Sequence, residues 1–313
     1  MLCSALARQG AAVIGSDRFI DVDRWRYIED VPFYDWVDAD ELHARLQSDT
    51  LSPDCIVHLG AISATTEYDI QALLAQNTTY TNRLWDIAKV LDIRMIYASS
   101  AATYGKGERG FIDSSDPAYL KLLHPLNPYG WSKKLSDIHI TTDVSNGKRP
   151  GNGWAGLKLF NVYGHNETHK GSMQSVISRF IGQIEGGADH ICLFKSYHPN
   201  YAHGHQMRDF VHVDDVVEVI SNLVTAPNVG GIFNVGTGVP RTFNDVANAV
   251  FSVCGVGPKI EYIEMPDDRR EHYQYNTCAN IDRLKDGGII IKMLTLEEGV
   301  KRCFDAFEQQ RMN

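Results

Sequence analysis

Short apolar runs alternate with helical segments along the first half of this chain. The runs that predict buried strands are residues 11–15, 55–59, 93–98 and 154–160. Helical periodicity extends from about Asp69 to Leu91, between the second and third runs. Strands that alternate with helices join into a parallel sheet with crossover helices. The sequence therefore predicts an α/β fold with a doubly wound parallel sheet of the Rossmann-like type.

The opening of the chain departs from this pattern. Leu2 to Gln9 predict the end of a helix, with Gly10 as its C-cap, and no GxGxxG turn precedes Ala11. A doubly wound fold begins with a strand, a glycine-rich turn and a helix whose backbone amides hold a pyrophosphate. We therefore expect the first strand and the glycine-rich loop to be missing, and the chain to hold a dinucleotide weakly.

The pattern also changes along the chain, since it becomes less regular beyond Asn161. We predict a dinucleotide-binding domain formed by residues 1–160 together with about 209–238. Residues 161–208 together with about 239–313 are predicted to form a smaller α/β substrate domain, so the two domains interleave in sequence.

Tyr129 and Lys133 are spaced i and i+4 in the stretch that begins at Pro128. On a helix they lie on one face, one turn apart. An ammonium favours the phenolate, so we expect Lys133 to lower the pKa of Tyr129 and to make it a proton donor and acceptor near neutral pH. Ser100 follows a predicted strand at the sheet edge where ligands bind, and it can donate a hydrogen bond to a substrate oxygen.

Taken in order, these motifs resemble the extended short-chain dehydrogenase/reductase family, which epimerises or dehydrates nucleotide sugars. The resemblance covers nearly the whole chain. Its marks are Leu59–Glu67, Tyr97–Gly105, Phe160–Gly164, Arg208–Asp215 and His169–Met173. The last segment places Lys170 where the branch that acts on ADP-linked heptoses has a second base. Without the resemblance, Lys170 would be interpreted as a loop lysine that points to water.

The resemblance implies inversion at C6″ of an ADP-linked heptose. Bound NADP would take a hydride from that carbon and return it to the other face, with Tyr129 and Lys170 as the two acid/base groups. Another NAD(P)-dependent nucleotide-sugar epimerase or dehydratase stays open as an alternative. A 4,6-dehydratase is disfavoured because Ala101 and Ala102, and not acidic residues, follow Ser100. A non-catalytic remnant that binds partners is the second alternative.

The nicotinamide cofactor is predicted to be NADP, with NAD as the alternative. Asp17 follows a strand and can accept ribose hydroxyls, whereas Arg18 and Arg24 can hold a 2′-phosphate. The competing interpretation of these three residues is a charged loop in contact with solvent. For Asn77 the competing interpretation is an amide on the surface of a helix. The other cofactor contacts implied by the resemblance are Leu59, Gly60, Ala61, Ile62, Ser63, Asn77, Lys133, Val162 and Lys170.

Substrate contacts follow from the same resemblance. Arg208 is predicted to bind the diphosphate through charge-assisted hydrogen bonds, with a salt bridge to Asp209 or Asp215 as the alternative. Arg179 stands where the family usually has a histidine, which is a departure. The remaining implied contacts are Asn161, Ser172, Phe194, Lys195, Ser196 and Tyr273.

Composition limits the other classes of function. A net charge of −9 argues against nucleic acid as a partner. The six cysteines form no CxxC pair, and His198, His203 and His205 lack an obvious further ligand, so no metal is predicted. No apolar run has the length of a membrane span, and there is no signal-peptide pattern. We expect a cytoplasmic protein with reduced thiols that forms a homo-oligomer.

Overall fold

The computed structural model describes residues 1–18, 25, 27–270 and 273–312. The predicted alternation of strands and helices is present. The strands are β1 (Ile14–Asp17), β2 (Asp35–Asp38), β3 (Cys55–His58), β4 (Arg94–Ser100), β5 (Trp154–Leu159), β6 (Asn161–Tyr163), β7 (Ile191–Phe194), β8 (Met207–Arg208), β9 (Phe210–His212), β10 (Gly231–Val235), β11 (Arg241–Thr242) and β12 (Ile260–Ile263).

The helices include several single turns as well as long elements. They are α1 (Leu2–Arg8), α2 (Leu42–Gln47), α3 (Ile70–Leu73), α4 (Tyr80–Leu91), α5 (Pro117–Lys121), α6 (Pro128–Ser145), α7 (Val176–Glu185), α8 (Val213–Val224), α9 (Phe243–Cys254), α10 (Asp267–Arg270), α11 (Asp282–Asp286) and α12 (Leu296–Met312). Among the residues described, no helix is both long and apolar enough to cross a membrane.

The main sheet is parallel and has the strand order β10-β5-β4-β3. Successive residues of β4 point to opposite faces, so Met95 and Tyr97 join one apolar core while Ile96 joins the other. Both faces are therefore covered, as a parallel sheet requires. In the described structure β1 pairs with β2 in a separate parallel sheet. The prediction of a doubly wound α/β fold is confirmed.

The segment predicted as one helix from Asp69 to Leu91 is divided in the structure. Asp69 caps α3 by accepting a hydrogen bond from the backbone N–H of Ala72. A π-helical turn, Leu74–Thr79, then separates α3 from α4. Such turns insert one extra residue per turn and often occur at functional sites. This one carries Asn77.

The remaining strands form small sheets in the second half of the chain. β6 pairs with β9 and β7 with β12 in parallel, and β8 pairs with β11 antiparallel. A third apolar core includes residues of α7, α9 and α12. Its members include Ile177, Phe180, Val250, Phe251 and Val300.

Candidate active site

The turn after β4 brings Ser100 to the carboxyl edge of the main sheet. The strand continues to Ser100, two residues beyond the predicted end at Ala98, and a 3₁₀ turn, Ala101–Tyr104, follows directly. The Ser100 hydroxyl accepts a hydrogen bond from the N–H of Ala102 at 3.1 Å. That bond fixes the serine at the edge where ligands of open α/β sheets bind.

Helix α6 presents Tyr129 to this edge because its first turn packs closely against the 3₁₀ turn. Asn127 caps the helix by accepting from the N–H of Gly130 at 2.8 Å, and Pro128 occupies the first helical position. A Cβ atom on Gly130 would lie 2.7 Å from the carbonyl oxygen of Ala102, so only glycine permits this approach. Tyr129 shares a side-chain hydrogen bond with Ser100. Ser100 and Tyr129, which were each predicted to be site residues, therefore lie next to each other.

The electrostatics of Tyr129 differ from the sequence-based expectation. Burial raises the pKa of Tyr129, and the hydrogen bond with Ser100 offsets this only in part. Lys133 was expected to lower the pKa of the phenol. Its ammonium instead donates to the carbonyl of Ala98 at 3.0 Å, and burial lowers the pKa of Lys133 to about 8. The expectation for Tyr129 is wrong because desolvation by burial is the largest influence on the pKa of the phenol and raises it.

A buried ion pair between Asp137 and Lys158 lies beneath the site, and it was not predicted from the sequence. Asp137, one turn after Lys133 on α6, has no exposed surface and accepts from Lys158 at 2.7 Å. It also accepts from the hydroxyls of Tyr97 at 3.0 Å and Ser99 at 2.7 Å. Because every partner is buried, this network fixes α6 against β4 and β5. The one sequence feature that could have indicated this ion pair is Lys158, a lysine within the otherwise apolar strand β5.

Asn77 holds the loop after β3 against α6. Its amide accepts from the N–H of Ile62 at 2.8 Å and donates to the carbonyl of Ile62 and to the Ser132 hydroxyl, both at 3.0 Å. Asn77 is fully buried, so the alternative of a helix-surface amide is wrong. Leu59, Gly60, Ala61 and Ser63 remain exposed in the loop that Asn77 positions.

The end of β1 carries the residues predicted to meet the adenosine. The Asp17 carboxylate accepts from the N–H of Arg18 at 2.7 Å. Arg18 donates through Nε to Asp40 at 2.8 Å and also hydrogen-bonds Gln76. The hydrogen bond from Arg18 lowers the pKa of Asp40. Arg24 lies outside the described residues.

Lys170 lies in a 3₁₀ segment, Thr168–Met173, interrupted at Gly171 by a positive φ of 52°. Its ammonium is 3.5 Å from the Glu167 carboxylate, and about half of the side chain is exposed. Glu167 itself is buried and accepts from the backbone N–H groups of Gly164 and Ser175. The anchor of Lys170 is therefore rigid, while the lysine remains accessible. The side chain of Ser172 lies outside the described part of the chain.

Arg208 is buried without an acidic partner. Among the described residues, no carboxylate lies within ion-pair distance of its guanidinium, so the alternative of a salt bridge to Asp209 or Asp215 is wrong. It donates to the carbonyl of Met207, hydrogen-bonds Tyr273 and lies 5.1 Å from the ring centre of Tyr273. Burial lowers the pKa of Arg208. A buried cation without an anion suits an anionic ligand.

The other predicted substrate residues are dispersed over several elements. Asn161 is exposed and begins β6, followed by the half-buried Val162. Arg179 is exposed on α7. Phe194 ends β7, Lys195 pairs with Glu264 at 2.6 Å, and the Ser196 N–H donates to His203. The structure therefore joins Tyr129 with Ser100 and Arg208 with Tyr273, whereas Lys195 has a carboxylate partner of its own.

Comparison with known proteins assigns this arrangement to a class. Residues 1–236 match the NAD dependent epimerase/dehydratase family, and the chain belongs to that family. Two similar relatives are ADP-L-glycero-D-manno-heptose-6-epimerases. The protein of Nitratidesulfovibrio vulgaris is 43% identical over 293 residues, which cover 92% of this chain and 87% of the relative. That of Fusobacterium nucleatum is 39% identical over 293 residues, covering 91% and 87%.

Solved structures support the fold. The ADP-L-glycero-D-manno-heptose-6-epimerase of Helicobacter pylori superimposes with a TM-score of 0.79 at 23% identity, covering 98% of this chain and 91% of that one. A UDP-N-acetylglucosamine 4-epimerase from Methanobrevibacter ruminantium gives a TM-score of 0.81 at 19% identity, covering 99% and 94%. Both likenesses concern the fold alone.

Proposed function

We propose that this protein is an epimerase that inverts C6″ of ADP-glycero-manno-heptose, with NADP as its resident cofactor. The observation that carries the proposal is the Ser100–Tyr129 hydrogen bond at the carboxyl edge of the sheet, with Lys133 buried one turn below Tyr129. The choice of heptose rests on relatives of that name at 39–43% identity over nine-tenths of the chain.

The residues on the cofactor side fit a dinucleotide. Asp17 ends a strand and can accept ribose hydroxyls, and Arg18 beside it can hold a 2′-phosphate through its planar guanidinium. The exposed small residues after β3 leave room for a flat ligand along the sheet edge. When bound, NADP supplies the acceptor and donor of hydride for C6″.

Tyr129 and Lys170 handle the protons in the proposed reaction. Tyr129, acting as the phenolate, takes the proton of the substrate hydroxyl while Ser100 orients the oxygen; together with loss of hydride from C6″ to bound NADP, this would yield a C6″ carbonyl on the sugar. Return of hydride to the other face needs a proton donor on that face, and Lys170 has this role. Its accessibility beside the rigid Glu167 suits a group that must meet a ligand.

Arg208 binds the diphosphate of the substrate in this proposal. The guanidinium is held between Tyr273 and the carbonyl of Met207, so its position is set before any ligand arrives. A diphosphate would supply the negative charge that the buried guanidinium otherwise lacks. Further substrate contacts are proposed from Asn161, Ser172, Arg179 and the segment 194–196.

The two-domain division stays part of the proposal. The apolar cores on the two faces of the main sheet would belong to the dinucleotide-binding domain, and the core around α7, α9 and α12 mainly to the substrate domain. We also propose that the protein acts in the cytoplasm as a homo-oligomer, a state that light scattering of the purified chain would measure.

The test is direct assay of the purified 313-residue chain with added NADP. One C6″ epimer of ADP-glycero-manno-heptose is supplied, and chromatography follows the other epimer. With NADP in large excess, because the chain is expected to hold the cofactor weakly, conversion to an equilibrium mixture is expected, with no conversion of UDP-glucose or dTDP-glucose. Conversion of UDP-glucose alone would assign the chain to a different epimerase. Absence of any conversion together with absence of NADP binding would support the non-catalytic remnant.

A further inference from the structure

Strands β7 and β12 place a histidine, a cysteine and a glutamate together away from the sheet edge described above. Cys192 pairs directly with Glu261 in the parallel register, and His190 lies two residues before Cys192 on the same face. The potential ligand atoms of His190, Cys192 and Glu261 all lie within 4.8 Å of one another. His190 Nε2 is 3.4 Å from the Glu261 carboxylate. We propose that these three residues bind one Zn²⁺ ion.

The chemistry of the three groups selects zinc among the common metals. A thiolate, an imidazole and a carboxylate are the ligand types of tetrahedral zinc sites, whereas Mg²⁺ and Ca²⁺ prefer oxygen ligands alone. Three protein ligands leave a fourth position for water. In the described part of the chain the Cys192 thiol is free, so a metal displaces no existing bond to sulfur.

Asp189 supplies the outer partner that zinc-binding histidines commonly have. Its carboxylate is 2.6 Å from His190 Nδ1, and Lys259 forms an ion pair with the same carboxylate. Because Asp189 occupies the Nδ1 side of the ring, Nε2, which is 3.4 Å from the Glu261 carboxylate, is the nitrogen available to a metal.

A second cluster of potential metal ligands already has a cation, the ammonium of Lys89, between its carboxylates. Asp86, His139 and Asp143 also lie close together, but the Lys89 ammonium pairs with both carboxylates. No lysine pairs with Glu261 in the described residues. No metal was predicted from the sequence because the cysteines form no CxxC pair. Cys192 and Glu261 are 69 residues apart, and only the strand pairing joins them.

The proposed zinc site lies on the two-stranded sheet of β7 and β12 and is independent of the proposed epimerase activity. A two-stranded sheet is marginal by itself, and an ion shared by β7 and β12 would join the two strands. β7 ends at Phe194, where the segment proposed to contact the substrate begins.

The experiment is titration of the chelator-treated, reduced chain with Zn²⁺ against a chromophoric competitor. One ion per chain is expected, with a rise in Tm and slower alkylation of Cys192 as read by mass spectrometry. Cys192→Ser should weaken binding by roughly tenfold or more, and Asp189→Asn by about 10–100-fold, as outer partners do. His139→Gln, in the cluster that Lys89 fills, is the matched control and should bind like the wild type.

Binding should also weaken in acid, because protons compete with the metal for its ligands. With Co²⁺ as the probe, a thiolate-to-metal charge-transfer band should appear in the wild type and vanish in Cys192→Ser. Folding of each variant is checked by circular dichroism. Failure of the wild type to bind one equivalent of Zn²⁺, or unchanged affinity in Cys192→Ser, would overturn the proposal.

Discussion

Lys133 and Lys170 are the two lysines for which a role in the reaction is proposed, and their surroundings are opposite. Lys133 is 3% exposed, donates to the carbonyl of Ala98 and has its pKa lowered to about 8 by burial. The Lys170 side chain is 47% exposed and is paired at 3.5 Å with Glu167. The helix that carries Lys133 is fixed to the sheet, whereas Lys170 lies in a short turn at the surface.

The side of the site around Lys133 is held by buried hydrogen bonds, whereas the side around Lys170 is exposed. Beneath Lys133, the buried bonds of Asp137 to Lys158, Tyr97 and Ser99 hold α6 in place. This side is preorganised, and its geometry persists without a ligand. On the other side only Glu167 is fixed, so Lys170 would reach its working position through contact with the substrate. The predictions below test each side in turn.

The largest effect is expected from Tyr129→Phe. Loss of the phenolic proton should slow epimerisation by about 10²–10⁴-fold, the usual contribution of a general acid–base group. The melting temperature should stay unchanged because only one hydroxyl is lost. Chromatographic rates with excess NADP provide the measurement. Tyr34→Phe, at a residue that is 77% exposed, is the control and should keep the wild-type rate. A Tyr129→Phe rate near that of Tyr34→Phe would remove Tyr129 from the mechanism.

Asp137→Ala is expected to lower the free energy of unfolding by about 3–5 kcal/mol. The change leaves the Lys158 ammonium buried without its counter-charge and two hydroxyls without their acceptor. Urea unfolding measures the loss. The double variant Asp137→Leu/Lys158→Met should recover much of it, because an apolar pair avoids the buried charge. A single variant as stable as the wild type would show that this side is not held by the network.

Lys170→Met is expected to slow epimerisation by about 10²-fold, the lower end of the acid–base range, because the group is half exposed. The free energy of unfolding should change by no more than about 0.5 kcal/mol, as for other surface positions. Lys148→Met, in an exposed loop, is the matched control. A near-normal rate in Lys170→Met would make Lys170 a loop lysine and would favour another epimerase of the family.

The smallest effect concerns the choice of cofactor. Arg18→Ala combined with Arg24→Ala should weaken NADP binding by roughly tenfold or more, since a charge-assisted hydrogen bond contributes about 1.5–3 kcal/mol. NAD binding should not change. Asp40→Asn should tighten NADP binding by releasing Arg18 from its present partner. Fluorescence titration with the reduced cofactors measures both. Equal affinity of the wild type for NADP and NAD would contradict the assignment.

Local signals in the sequence were enough to predict much of the site. Asn127 and Pro128 begin α6, and the helix then places Tyr129 and Lys133 one turn apart. The apolar runs predicted β3, β4 and β5 because strands of a parallel sheet are buried on both faces.

The missed features depend on contacts between distant segments. Asp137 and Lys158 are 21 residues apart, and only the packing of α6 on β5 joins them. The raised pKa of Tyr129 reflects burial, which spacing alone does not report. A salt bridge to an acidic residue was the alternative for Arg208, but its guanidinium lies over the aromatic rings of Tyr273 and Phe243. In each case tertiary packing, and not local pattern, decided the outcome.

The central claim is that hydrogen leaves C6″ as hydride and returns to the same carbon. It is tested most directly with ADP-glycero-manno-heptose that carries deuterium at C6″, incubated with the chain and NADP in ordinary water. Both epimers should retain deuterium at C6″ at equilibrium, as read by mass spectrometry and NMR. Epimerisation with replacement of that deuterium by solvent hydrogen, or no epimerisation at all, would contradict it.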